Sequence, residues 1–206
     1  MKTHRLEQLA DGIFAIIMTL IAFDLRPLFI SAEISDITLW QSLVSMADVV
    51  FIFFITFALL FTYWRAHHSI VSLYAQNLTP GLINFNGLFF FLITLVPFSS
   101  RFLGNFYFNK VAIIVYGAHV IFIGLTLFFM RRYIEINPSI ETLPTSKDEI
   151  IRGYVRILLP VFSALAAIIL SLWNIKLSLI LFSIAIVFNL IPGATHWIGV
   201  KISKSE

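Results

Sequence analysis

Apolar positions along the chain gather into six runs, at residues 9–30, 43–64, 84–104, 111–130, 157–173 and 177–198, with the polar residues concentrated between them. Val111 to Met130 is apolar at almost every position, without the alternation of a barrel strand, so each run predicts a helix able to cross a ~30 Å hydrocarbon core. The main hydrophilic connection, about 131–150, carries the helix breakers Asn137-Pro138 and Pro144. Ser146-x-x-Glu149 follows at capping-box spacing and predicts the start of the fifth helix. Asn174-Ile175-Lys176 predicts a tight turn before the sixth, and Pro97, Pro160 and Pro192 predict kinks. No internal repeat divides the 206 residues, which read as one six-helix transmembrane domain, 1–206.

Composition sharpens this picture. The chain is 59% hydrophobic and only 12% charged, about half the charge of a soluble domain. An all-α membrane protein surrounded by the lipid bilayer follows. The absence of cysteine excludes a disulfide scaffold and a thiol nucleophile. The net charge of +3 comes from basic residues scattered at span ends, without the patch that nucleic acid requires. Counted on alternate sides, ten of the fourteen Lys and Arg (Lys2, Arg5, Arg65, Arg131, Arg132, Lys147, Arg152, Arg156, Lys201 and Lys204) share one side. The positive-inside rule then places both termini in the cytoplasm of a multi-pass cell-membrane protein. No cleavage site follows the first run, so that span is expected to be retained. The sequon at Asn77 falls on the predicted inner side, where it is expected to stay unmodified.

The first helix carries the most information. Asp11 and Asp24 bracket it thirteen residues apart, about 20 Å along a helix, so at least one carboxylate lies at hydrocarbon depth and needs protein or water. Gly12, Ala15, Thr19 and Ala22 form a stripe of small residues of the kind that lets membrane helices approach closely. Ile16, Leu20 and Phe23 form a bulkier stripe beside it. Asp11 lies about 140° round the helix from Ile16, toward other helices. Copies meeting through the small face around an axis would aim the bulky stripe into it. Arg5, Asp11, Trp64, His67, His68 and Asn86 fall at the same ends of the first three spans and are expected to form one hydrogen-bonded cluster. His119, mid-span, is expected to be a neutral imidazole bonded to a hydroxyl or a backbone carbonyl. Asp24, Glu33, Asp36 and Asp48 gather near the outer ends, where they would concentrate cations or pair with Arg26 and Arg101.

These residues resemble a known family. Arg5-x-x-x-Leu9-Ala10-Asp11-Gly12 resembles the Arg-x-x-x-Phe-Ser-Asp signature of prokaryotic relatives of the lysosomal potassium channel, the transmembrane protein 175 family. Trp64-Arg-Ala-His67-His68 resembles its Trp-x-x-His-His, and Asn86 followed by Leu95-Val96-Pro97-Phe98 resembles its third-helix pattern. The resemblance implies a homotetrameric, potassium-selective leak channel without a pore loop, lined by the first helix. By position it implies that Ile16 forms the tightest apolar ring, Leu20 and Phe23 rings further out, and Thr19 a hydroxyl near the ion path. It implies no cofactor and no resident metal, only transient K+. Leu9 and Ala10 depart from the signature's Phe and Ser, removing an aromatic contact and a hydroxyl.

No TVGYG-type carbonyl filter occurs in the chain, so a barrier here would act through an apolar constriction that dewets. Two readings stand beside the channel. A proton-coupled secondary transporter would commonly show inverted repeats and broken helices. A structural membrane subunit would assemble without conducting. No nucleophile elbow, HExxH or phosphate loop points to an enzyme.

Overall fold

The computed structural model describes residues 3–25 and 35–191. Within them the chain is helical: α1 Thr3–Leu20, α2 Asp36–Ser45, α3 Ala47–His68, α4 Pro80–Thr94, α5 Val96–Asn105, α6 Lys110–Ile136, α7 Lys147–Ser171 and α8 Ile175–Leu190. A 3₁₀ turn, Ile21–Leu25, extends α1, and a π turn, Ser69–Tyr74, extends α3. Five stretches are long and apolar enough to cross a membrane, with α4 and α5 together forming the third, and α8 is a shorter apolar sixth. The protein is an all-helical, multi-pass membrane protein.

Several helices extend beyond their apolar runs, whereas α3 starts at Ala47, later than its run at 43. α1 starts at Thr3, ahead of its apolar run at 9, and α4 at Pro80, ahead of its run at 84, while α6 runs on to Ile136; α7 starts at Lys147, where the capping box predicts it, well ahead of its apolar run at 157. Apolar runs mark the bilayer core, and the helices continue as polar, capped turns beyond it. Thr79 caps α4, and Ser146 and Glu149 form the expected capping box on α7. At the fifth turn, Asn174 is the N-cap of α8, so Ile175 and Lys176 already belong to the helix. α2 was not expected, and Met46 separates it from α3. The last residues of spans one and six, together with Arg26, Glu33 and Pro192, lie outside the described residues.

α6 organises the core. It packs against α7, α4 and α5, and half of its apolar window is buried, against 28% for α1. Gly117 and Gly124 permit the approach of α7: an added Cβ would overlap Ile168 at the first and Val161 at the second. α3 joins through two tyrosines. Tyr63 donates to the Val120 carbonyl at 2.9 Å, and the Tyr116 and Thr56 hydroxyls lie 3.0 Å apart.

The prolines are repaired by side chains from other helices. Pro160 has no N–H, so the Arg156 carbonyl loses its helical donor, and the Asn189 amide supplies one at 2.9 Å. Pro97 sits where α4 stops and α5 begins. His119 bridges that break, with Nε2 at 2.9 Å from the Leu92 carbonyl of α4 and Nδ1 at 2.7 Å from the Ser99 hydroxyl of α5. A carbonyl accepts only, so Nε2 carries a proton, while Nδ1 faces the Ser99 hydroxyl, which also reaches the Val96 carbonyl at 3.1 Å. A hydroxyl and a backbone carbonyl are the partners expected from sequence. Interhelical hydrogen bonds in membranes average about 0.6 kcal/mol, so His119→Leu is expected to lower stability by about 1 kcal/mol. Thermal unfolding in detergent, with Ser99→Ala as the half-effect comparison, measures it.

On the predicted inner side, Asn77 staples two connections. Its amide donates to the Ser139 carbonyl at 2.7 Å, and its oxygen accepts from the Glu141 N–H at 2.9 Å. The sequon side chain is thereby spent on structure.

Candidate ion-path helix and its anchor

α1 buries one face and exposes the rest. Leu6, Ala10, Phe14, Ile17 and Ile21 are buried against α3, α4 and α5 at the spacings of three and four that define a helical stripe. Ile16 is 61% exposed, Leu20 44% and Phe23 56%. Beyond Leu20 the 3₁₀ turn tightens the winding, and side chains three apart then eclipse, so Phe23 stays in line with Leu20. Gly12, Ala15, Thr19 and Ala22 are also exposed. An added Cβ at Gly12 would meet nothing within 4 Å, so at this position the small stripe faces open space among the described residues.

Thr19 donates its hydroxyl proton to the Ile16 carbonyl at 2.7 Å. Its oxygen lone pairs remain as acceptors, the half of a hydroxyl that a cation can use. The structure also adds a residue to the stripe. Leu9, seven residues before Ile16 and therefore about 20° from it around the helix, is 50% exposed on the same line. Its phase was readable in the sequence, but the position stood out there only as a departure from the family signature.

The six polar residues at the predicted inner ends do not form the single cluster expected from sequence. Trp64 Nε1 donates to Asp11 Oδ1 at 2.8 Å, tying α1 to α3. Separately, His67 Nε2 lies 2.7 Å from Asn86 Oδ1, tying α3 to α4. The Asn86 amide nitrogen donates to the Leu82 carbonyl, so its oxygen faces His67 and Nε2 is the protonated ring nitrogen. His67 and Asn86 are buried, and the His67 ring stacks on Phe89 at 4.9 Å. His68 is exposed, stacks on Trp64 and bonds Ser72. Arg5 is exposed and makes no hydrogen bond or ion pair to the others among the described residues. The separation has a geometric cause. Adjacent histidines on a helix point about 100° apart, so one enters the bundle toward α4 while the other stays at its edge.

At the other end, the Asp48 carboxylate near the Tyr107 hydroxyl raises the Tyr107 pKa above its ordinary value. Asp36 stands in the first turn of α2, favourably placed for the helix dipole. Among the described residues no three His, Asp or Glu side chains are grouped to hold a metal ion.

Comparisons with known proteins bear on this arrangement. Residues 5–97 match the family model described as endosomal/lysosomal potassium channel TMEM175. A potassium channel of Chamaesiphon minutus is 32% identical over 134 residues, 63% of this chain and 64% of that protein. The chain thus matches a little under two thirds of that relative's length. The crystal structure of a lysosomal potassium-selective channel TMEM175 homologue from Chamaesiphon minutus superposes with a TM-score of 0.76 at 24% identity, covering 91% of this chain and 95% of that one. Trp64, His67 and Asn86 lie in the matched region together with the whole of α1 from Arg5. Neither relative is described as an enzyme. Residues 5–97 of this chain are thus similar to the TMEM175 channels, as its motifs suggest, and the chain shares its fold with a solved homologue along nine-tenths of its length.

Proposed function

We propose that this protein is a potassium-selective leak channel of the cell membrane, built as a homotetramer with α1 of each copy around a central path and both termini in the cytoplasm. The observation that carries the reading is the exposed side of α1, where a small stripe and a bulky stripe lie side by side and largely exposed. Closed symmetric rings are the common solution for a face that needs copies of itself. The small stripe meets the neighbouring copy, and Ile16, Leu20 and Phe23 line the path as stacked apolar rings, with Ile16 the constriction. Thr19 offers its lone pairs to a partly dehydrated ion beside that ring. The Asp11–Trp64 and His67–Asn86 bonds fix the rotation and depth of α1 against α3 and α4, so they position the path without touching the ion.

The test is potassium and sodium flux into liposomes containing the purified, assembled protein. Potassium-preferring, non-saturating flux is expected. Saturable flux coupled to protons would replace the channel with a secondary transporter. No flux in vesicles of verified assembly would replace it with a structural subunit.

A further inference from the structure

Outside α1, an apolar groove of about 290 Å³ runs between α3 and α8, walled by Phe54, Phe57, Ala58 and Phe61 on one side and Val187 and Leu190 on the other. Its floor is formed by Ala58, whose methyl group leaves space among aromatic neighbours. The groove spans the middle of a membrane-crossing helix, so acyl chains surround it. Apolar walls alone select nothing there, because lipid tails are as apolar as the side chains. A retained lipid has to be held by shape and by its headgroup.

The second observation supplies the headgroup partner. Phe54, Ala58, Phe61 and Arg65 follow one another at spacings of four, three and four, which is a single stripe on α3. Arg65 is therefore on the groove's own face, one turn beyond its end. It is half-buried, and no carboxylate among the described residues pairs with it. Trp64 beside it, with His67 and His68 a turn further on, marks the level at which the helix leaves the hydrocarbon. A guanidinium at that depth satisfies its donors best with a phosphate, which it binds in a forked geometry.

We infer that the groove between α3 and α8 holds one phospholipid of the leaflet at the C-terminal end of α3, its acyl chain seated over Ala58 and its phosphate bound by Arg65. The inference needs only that α3 crosses the membrane, so it stands or falls separately from the ion path along α1. The chain and the headgroup belong to one molecule, so the two parts of the site act together.

Native mass spectrometry of the assembled protein, titrated with phosphatidylglycerol, tests it. Wild type is expected to hold the lipid at least roughly tenfold more tightly than Ala58→Phe, which fills the groove, or Arg65→Gln, which keeps the size but removes the charge. Arg65→Lys is expected to recover part of the loss. Val187→Phe, filling the groove from the opposite wall, repeats the result without touching α3, and Phe162→Ala on the exposed face of α7 is expected to change nothing. Equal binding by wild type and both filled variants overturns the inference. So does loss of oligomer mass in the filled variants with lipid binding unchanged, which would make the groove a contact with a second copy.

Discussion

Replacing Ile16 by asparagine is expected to raise potassium flux roughly tenfold and to remove most of the preference over sodium, a change of about 1.4 kcal/mol in the barrier. An apolar ring blocks ions because water leaves it, and an ion without water has lost its solvation. An amide in each copy restores hydrogen-bonding groups at the ring and lets a hydrated ion pass. Discrimination falls for the same reason, since a hydrated path no longer requires the dehydration that distinguishes the two ions. Ile16→Val keeps the ring apolar and should leave flux near wild type. The side chain is 61% exposed in the protomer, so neither substitution disturbs the packing of α1 on α3 and α4. Parallel potassium and sodium flux assays on the three proteins decide the matter, and an asparagine variant that assembles and conducts as wild type places the barrier elsewhere.

What the sequence made legible follows from what helical phase can encode. Ile16, Leu20 and Phe23 fall on one face by arithmetic alone, and in the structure all three side chains are exposed. Asp11 was readable as a carboxylate in need of a donor, and Trp64 meets that need. The division of the polar cluster was not readable. Whether His67 joins Asp11 or Asn86 depends on the rotation of α3 against α4, which no local spacing states. The same holds for His119: its isolation in an apolar span announces a bonded imidazole, but its position over the Pro97 break depends on how α6 crosses α4 and α5. Apolar runs do not mark helix ends, because hydropathy reports the bilayer and capping reports the helix, and the two boundaries differ by about one to three turns.

The second large effect lies at the same predicted inner side, in residues that sequence reading used only as charges. Arg131 is a large side chain almost without exposure, at 2%, near the end of α6. Its Nε donates to Glu135 at 3.1 Å, and its guanidinium lies over the Tyr154 ring at 4.5 Å. Tyr154 in turn donates to Glu135, and Arg132 approaches the same carboxylate at 3.6 Å. Gly153 makes room for this group, because an added Cβ there would overlap the Arg131 guanidinium. Gly153→Leu therefore expels Arg131 from its pocket, separating it from both Glu135 and Tyr154. Breaking a buried pair costs 3–5 kcal/mol, and Glu135 keeps part of its contact with water, so a loss of about 3 kcal/mol is expected. Thermal unfolding of the variant in detergent reads the loss. Combining it with Arg131→Met, which removes the charge and leaves a flexible apolar chain, should recover about half, since the overlap and the unpaired charge then disappear together. Recovery would locate the cost in the arginine's displacement. A single variant as stable as wild type would show that α6 and α7 part at this end without cost, and that the charge group does not hold them together.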